Sequence, residues 1–185
     1  MATLPKTRAV TYEEWLQMPV VHEGREEVVN GEIRVTPPNK MPHPRVVRTL
    51  TAAFLPQLDS NTAELFFSEF GLVIRQEPLT CRQPDLAVFE RATIIEKDGY
   101  IHSAPQLAIE VLSPSETRKE IAEKVRDYES IGTEEVWLVS PEAATVEILY
   151  LEERKLRRSA ILAEGVLKPK HFPAVQIDIA QIWPD

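Results

Sequence analysis

The segment Leu107-Ala108-Ile109-Glu110-Val111-Leu112 sets one carboxylate inside a run that is otherwise apolar on both faces. A strand of that kind belongs at the centre of a sheet, covered on both sides. The next thirty residues narrow the topology. After Ser113-Pro114-Ser115, Thr117 and Glu120 form a capping box that opens a helix over 118–131, and Gly132 stops it. Glu135–Val139 reads as another apolar strand. Strand, helix and strand in this order predict a right-handed parallel crossover.

The rest of the chain supplies strands and helices around that unit. Thr11 and Glu14 suggest a capped short helix that ends at Pro19. Arg25–Val29 and Glu32–Thr36 are strand-like and joined by Asn30-Gly31, a strong hairpin signal. From Pro44 to Leu58, Val46, Val47, Leu50, Ala53, Phe54 and Leu58 recur at helical spacing, with Pro44 in the first turn. Leu65–Phe67, Leu72–Arg75 and Asp85–Phe89 read as strands, and Thr145–Leu151 with Lys155–Leu162 as a hairpin. Val175–Trp183 is expected to pack as a last apolar edge. The class is α/β, one mixed sheet flanked by helices, in a single domain over 1–185 whose first ten residues are expected to be flexible.

Charge limits the function. With 21 Lys and Arg against 29 Asp and Glu, the formal net charge is −8, which argues against a strong nonspecific grip on DNA. It does not exclude a nuclease, because a metal site needs carboxylates and the cation changes the local field. A single cysteine excludes a disulfide framework and a cysteine-based zinc finger. No apolar run approaches a membrane span, and Met1–Val10 has no apolar core of the secretory kind. The expected location is the cytoplasm.

Three residues stand out. An ionised Glu110 in its apolar strand is costly unless it is paired, hydrogen-bonded or bound to a metal; a salt bridge to a helix would satisfy it equally. Asp85 follows Pro84 and opens the apolar Leu86-Ala87-Val88-Phe89. Alone it is a turn residue. With Glu110 it offers two carboxylates able to converge on one hard cation such as Mg²⁺. On the helix after Glu110, Ile121, Val125 and Tyr128 form the core-facing stripe and Lys124 borders it. Snorkelling of its amine to water is the competing role. Lys119, Glu123, Arg126 and Asp127 are expected to point to solvent.

Val29-Asn30-Gly31-Glu32-Ile33, Pro42-His43, Pro84-Asp85, Ile109-Glu110-Val111-Leu112-Ser113-Pro114-Ser115, Glu123-Lys124 through Tyr128, and Val136-Trp137-Leu138-Val139 together resemble the Uma-type restriction endonucleases. That family belongs to the PD-(D/E)XK superfamily, and the resemblance runs from about Tyr12 to Ile182. It implies a restriction-endonuclease-like fold. It also implies that Asp85, Glu110 and the main-chain carbonyl of Val111 bind Mg²⁺, or Mn²⁺ in its place. Glu27 matches an acidic residue ahead of the hairpin turn that often joins the site. His43 matches a histidine at the start of the first long helix, where fixing the helix entry is an equal alternative. The superfamily pattern places a lysine two residues after the acidic one; that position is Leu112, and the resemblance supplies Lys124 from the next helix instead. Tyr128 is expected to pack beside it as an accessory residue.

The function so implied is a Mg²⁺-dependent endodeoxyribonuclease acting on DNA. Two alternatives are a nuclease-fold module without catalysis, binding DNA or protein, and a metal-dependent hydrolase of a small phosphoester. A homodimer is expected, since cutting both strands of a duplex needs two sites. The apolar residues on both faces of Thr145–Leu162 suggest the interface.

Overall fold

The computed structural model describes residues 9–19, 25–67 and 70–183. Its helices are α1 (Tyr12–Leu16), α2 (His43–Phe54) and α3 (Arg118–Ile131). The strands are β1 (Arg25–Val29), β2 (Glu32–Thr36), β3 (Ala63–Phe67), β4 (Leu72–Gln76), β5 (Leu79–Arg82), β6 (Leu86–Glu90), β7 (Glu96–Lys97), β8 (Tyr100–Ile101), β9 (Leu107–Val111), β10 (Glu135–Ser140), β11 (Thr145–Glu152) and β12 (Lys155–Leu162), followed by the short pair β13 (Val166–Leu167) and β14 (Ile177–Asp178).

The expected crossover is present. β9 and β10 pair in parallel, and α3 connects them over the bounds read from the sequence. The Thr117–Glu120 capping box closes in both directions, and Gly132 ends the helix at φ 87°. Nothing lies near the position a Cβ would take there, so the glycine answers to backbone conformation and not to space. At the β1–β2 turn Asn30 and Gly31 both have positive φ, 54° and 78°, as a two-residue hairpin requires.

One mixed sheet is the sequence expectation; apart from the β13–β14 pair, the strands divide between two. The sheet around the crossover runs β12-β11-β10-β9-β6-β3, and a second sheet runs β2-β1-β5-β4-β8-β7. The second sheet depends on β5, whose Leu79-Thr80-Cys81-Arg82 is too short and mixed to show a period. It pairs with both β1 and β4 and is buried at every position.

Apolar cores lie on both faces of the crossover sheet. On one, Val46, Leu50 and Phe54 of α2 meet Leu86, Val88, Leu107, Ile109 and Trp137, and the C-terminal Val175, Ile177, Ile179 and Ile182 close the layer. This is the apolar edge expected of Val175–Trp183. On the other, Tyr128 of α3 packs with Ala87, Ala108, Val136 and Leu138 and with Leu72 and Ile74 of the second sheet. The hairpin residues that suggest a dimer interface are used within the chain, Val146, Ile148 and Tyr150 in the first core and Leu149 in the second. Of the N-terminal stretch expected to be flexible, residues 1–8 lie outside the described residues. Val10 donates its N–H to the Gly31 carbonyl at 2.9 Å. Among the described residues, no helix is long and apolar enough to cross a membrane.

Candidate functional site

Register brings the two carboxylates together. β6 and β9 are antiparallel, with Leu86 opposite Ile109 and Ala87 opposite Ala108. Continuing that register by one residue sets Asp85 opposite Glu110, on the sheet face that α3 covers. Neighbouring strands and a shared face are what the metal-site argument requires. Asp85 Oδ2 accepts the Val111 N–H at 2.8 Å, which ties the two strand ends to each other.

Each carboxylate meets a cation. Lys124 Nζ donates to Glu110 Oε2 at 2.8 Å and to Glu116 Oε1 at 2.7 Å. The Tyr128 hydroxyl donates to the other Glu110 oxygen. On Asp85, Arg25 Nη1 donates to Oδ1 at 3.0 Å, and His43 Nε2 lies 3.2 Å from Oδ2. Lys124 is 11% exposed and in contact with Glu110, so it does not snorkel. Both His43 and Tyr128 reach the carboxylates that the sequence singles out.

The surroundings divide the two acids. Burial acts upward on Asp85, but the His43 hydrogen bond, Arg25 and the Val111 N–H outweigh it and hold the carboxyl below its ordinary value. At Glu110, burial is the largest influence and raises the carboxyl; Lys124 opposes this, Asp85 adds to it, and the balance stays upward. Burial also works against the Lys124 ammonium, but Glu110, Glu116 and Glu27 together hold it above its usual value.

Glu135 shows the contrast. It too is a buried strand carboxylate, but it accepts from Trp137 Nε1 at 2.6 Å and from the Lys170 N–H at 2.7 Å. Neutral donors satisfy it. Glu110 instead faces ionic and acidic neighbours.

Comparison with known proteins adds the family. The model of Uma2, described as "Putative restriction endonuclease", matches residues 12–180. The chain belongs to the Uma2 family. A solved structure from Anabaena variabilis, described as "a putative nuclease belonging to DUF820", superposes with a TM-score of 0.77 at 20% identity, covering 94% of this chain and 97% of that one. This likeness establishes the restriction-endonuclease-like fold. A comparison with curated proteins returned no match.

This Uma2 chain also places residues in the site that sequence reasoning missed. Arg25 holds Asp85, and Glu116 shares Lys124 with Glu110. Arg82, 3% exposed, donates to Asp127 from Nε at 2.8 Å and from Nη2 at 2.6 Å, and to Glu27 from Nη1 at 3.0 Å. Glu27 also accepts the Gln83 N–H at 3.0 Å. Its carboxylate therefore aligns arginines beside the site. Two helix charges expected in solvent are corrected by these contacts: Asp127 is buried against Arg82, and Glu123 pairs with Arg34 at 2.6 Å. The cause is the second sheet, which covers the flank of α3 that a helix in isolation would leave wet. Lys119 and Arg126 are exposed as expected.

Two cavities meet here. One, of about 190 Å³, is lined by Glu27, Arg82, Val111, Glu116 and Lys124 among others. The other, of about 1280 Å³, runs along the outer flank of α2 toward β5. Arg25, His43 and Asp85 line both.

Proposed function

We propose that the chain is a Mg²⁺-dependent endodeoxyribonuclease that hydrolyses a phosphodiester bond of DNA, with Mn²⁺ able to serve in place of Mg²⁺. The observation that carries this reading is Asp85 opposite Glu110 with Lys124 Nζ 2.8 Å from the Glu110 carboxylate. Membership of the Uma2 family supports it.

The donors suit the ion. Asp85, Glu110 and the Val111 main-chain carbonyl are hard oxygen ligands, and Mg²⁺ keeps several waters, so few protein ligands suffice. What Mg²⁺ supplies when bound is a polarised phosphoryl oxygen and a more acidic attacking water.

The chain's own groups do the rest. Lys124 holds a positive charge beside Glu110, where it orients the water and offsets charge that develops on the phosphate oxygens. Tyr128 donates to Glu110 and holds one oxygen of that carboxylate. His43 performs the same service for Asp85, and Glu27 aligns Arg82.

Thermal unfolding in a Mg²⁺ titration tests the metal site directly. An ion that binds only the folded chain stabilises it by about 2.7 kcal/mol at one hundred times its dissociation constant. For a domain of this size that raises Tm by roughly 5–10 °C. Glu110→Gln should abolish the rise while its metal-free Tm equals or exceeds the wild-type value, because burial and then Asp85 disfavour the ionised carboxyl by more than Lys124 favours it. A wild-type Tm that ignores both Mg²⁺ and Mn²⁺ contradicts the reading.

A further inference from the structure

The two permanent cations on the paired carboxylates are held unequally. Lys124 Nζ donates to two acids, Glu110 at 2.8 Å and Glu116 at 2.7 Å, and its side chain is 11% exposed. Arg25 donates to Asp85 alone, from Nη1 to Oδ1 at 3.0 Å, and its side chain is 22% exposed. The other guanidinium nitrogen, Nη2, is buried with no hydrogen-bond partner and lies 3.9 Å from Glu27 Oε1. A buried donor without an acceptor costs free energy that a small turn toward Glu27 would recover. Glu27 Oε1 accepts the Gln83 N–H at 3.0 Å and keeps a second lone pair. Arg25 also lines both cavities, so it has room to turn.

The two oxygens of Asp85 differ as well. Oδ2 accepts the main-chain N–H of Val111 at 2.8 Å and faces His43 Nε2 at 3.2 Å. The Val111 donor is part of the β9 backbone and cannot leave. Among the described residues, Arg25 is the one hydrogen-bond donor on Oδ1. The charges that act most strongly on Arg25 are Asp85 and then Glu110, the same pair that the reading above assigns to the metal. A guanidinium and a divalent cation there draw on the same negative charge, and they repel each other.

We propose that Arg25 competes with the divalent cation for Asp85 Oδ1, turning to Glu27 when the cation binds, and that this exchange sets how tightly the cation is held. The proposal rests on the metal reading above and adds the residue that holds the affinity down. With Arg25 on Asp85, the cation-free fold never carries that buried carboxylate without a positive partner. A site built in this way stays folded without its ion and gives up some affinity in return.

Mn²⁺ binding in the absence of DNA, followed by loss of the free-ion electron paramagnetic resonance signal, tests this without reading cleavage. Arg25→Gln should bind Mn²⁺ about tenfold more tightly than the wild type, the worth of one hydrogen bond between charged groups. Arg25→Met, which keeps the aliphatic stem, should do the same, and one folded variant suffices. Metal-free, both should melt below the wild type, because Asp85 loses a partner. A purely structural role for Arg25 predicts that affinity and Tm fall together, since a displaced Asp85 binds the ion less well. Arg34→Ala removes one charge from the neighbouring strand and should leave the affinity near the wild-type value. Arg25 variants that bind no more tightly than a wild type that does bind Mn²⁺, or an Arg34 variant that tightens equally, overturn this inference and leave the metal reading standing. Mn²⁺ bound by the Arg25 variants alone supports both. If no form binds Mn²⁺, both fail.

Discussion

Lys124→Ala should lower the rate of DNA cleavage by about two to three orders of magnitude, the usual loss when a positioned charge is removed from a transition state. Its ligands intact, the variant should still gain thermal stability from Mg²⁺. The geometry motivates this separation of effects. α3 leaves β9 through the short Ser113-Pro114-Ser115 connection and packs back on the sheet, so Lys124 reaches the strand just left. Lys124→Arg should restore little activity, since a planar guanidinium cannot place a point charge in the same way. A role in stability alone predicts the reverse: the Arg variant would recover both Tm and turnover. Steady-state kinetics separates the two, because a group acting in the transition state lowers kcat with little change in KM. Cleavage by Lys124→Ala at the wild-type rate removes the lysine from the mechanism.

The second large effect falls on stability. Arg82→Met should cost about 3–5 kcal/mol, since Asp127 is left buried without a cation and Glu27 loses one of its arginines. In a domain of this length that lowers Tm by roughly 10 °C or more in a calorimetric scan. Arg34→Ala is the internal control. Arg34 pairs with Glu123 at 2.6 Å but is 36% exposed, and a pair screened by water is worth less than about 1 kcal/mol. The two arginines touch the same helix, and burial separates their effects. Equal losses in the two variants would show that the Arg82 network does not anchor α3 to the second sheet.

How much of the fold the sequence reveals depends on how local each signal is. The bounds of α3 are readable because both ends carry their own chemistry, Thr117 with Glu120 at one and Gly132 at the other. Asp85, Glu110 and Lys124 are readable because each is a charge set against an apolar background; the crossover brings Lys124 to Glu110, and the β6–β9 register brings Asp85 beside it. Arg82 lies in a four-residue strand with no period, so neither the strand nor its buried charge gives a signal. Arg25 opens an ordinary hairpin strand, and only the fold brings it to Asp85, sixty residues away in sequence. Asp127 is misplaced by sequence reasoning because a helical wheel shows which face is polar but not which polar face a second sheet will cover. For Arg25, Arg82 and Asp127 the deciding contact is long-range. A chain read one segment at a time cannot contain it.

The central claim, a metal-dependent nuclease site built on Asp85 and Glu110, is tested most directly by incubating the protein with plasmid and with circular single-stranded DNA in Mg²⁺, Mn²⁺ or EDTA, beside the Asp85→Asn variant. Gel electrophoresis should show internal cutting of DNA by the wild-type protein in Mg²⁺ or Mn²⁺, none in EDTA, and none by Asp85→Asn under any condition. Cleavage that persists in EDTA or in Asp85→Asn, or a folded wild-type protein that leaves both DNAs intact in both metals, would contradict it.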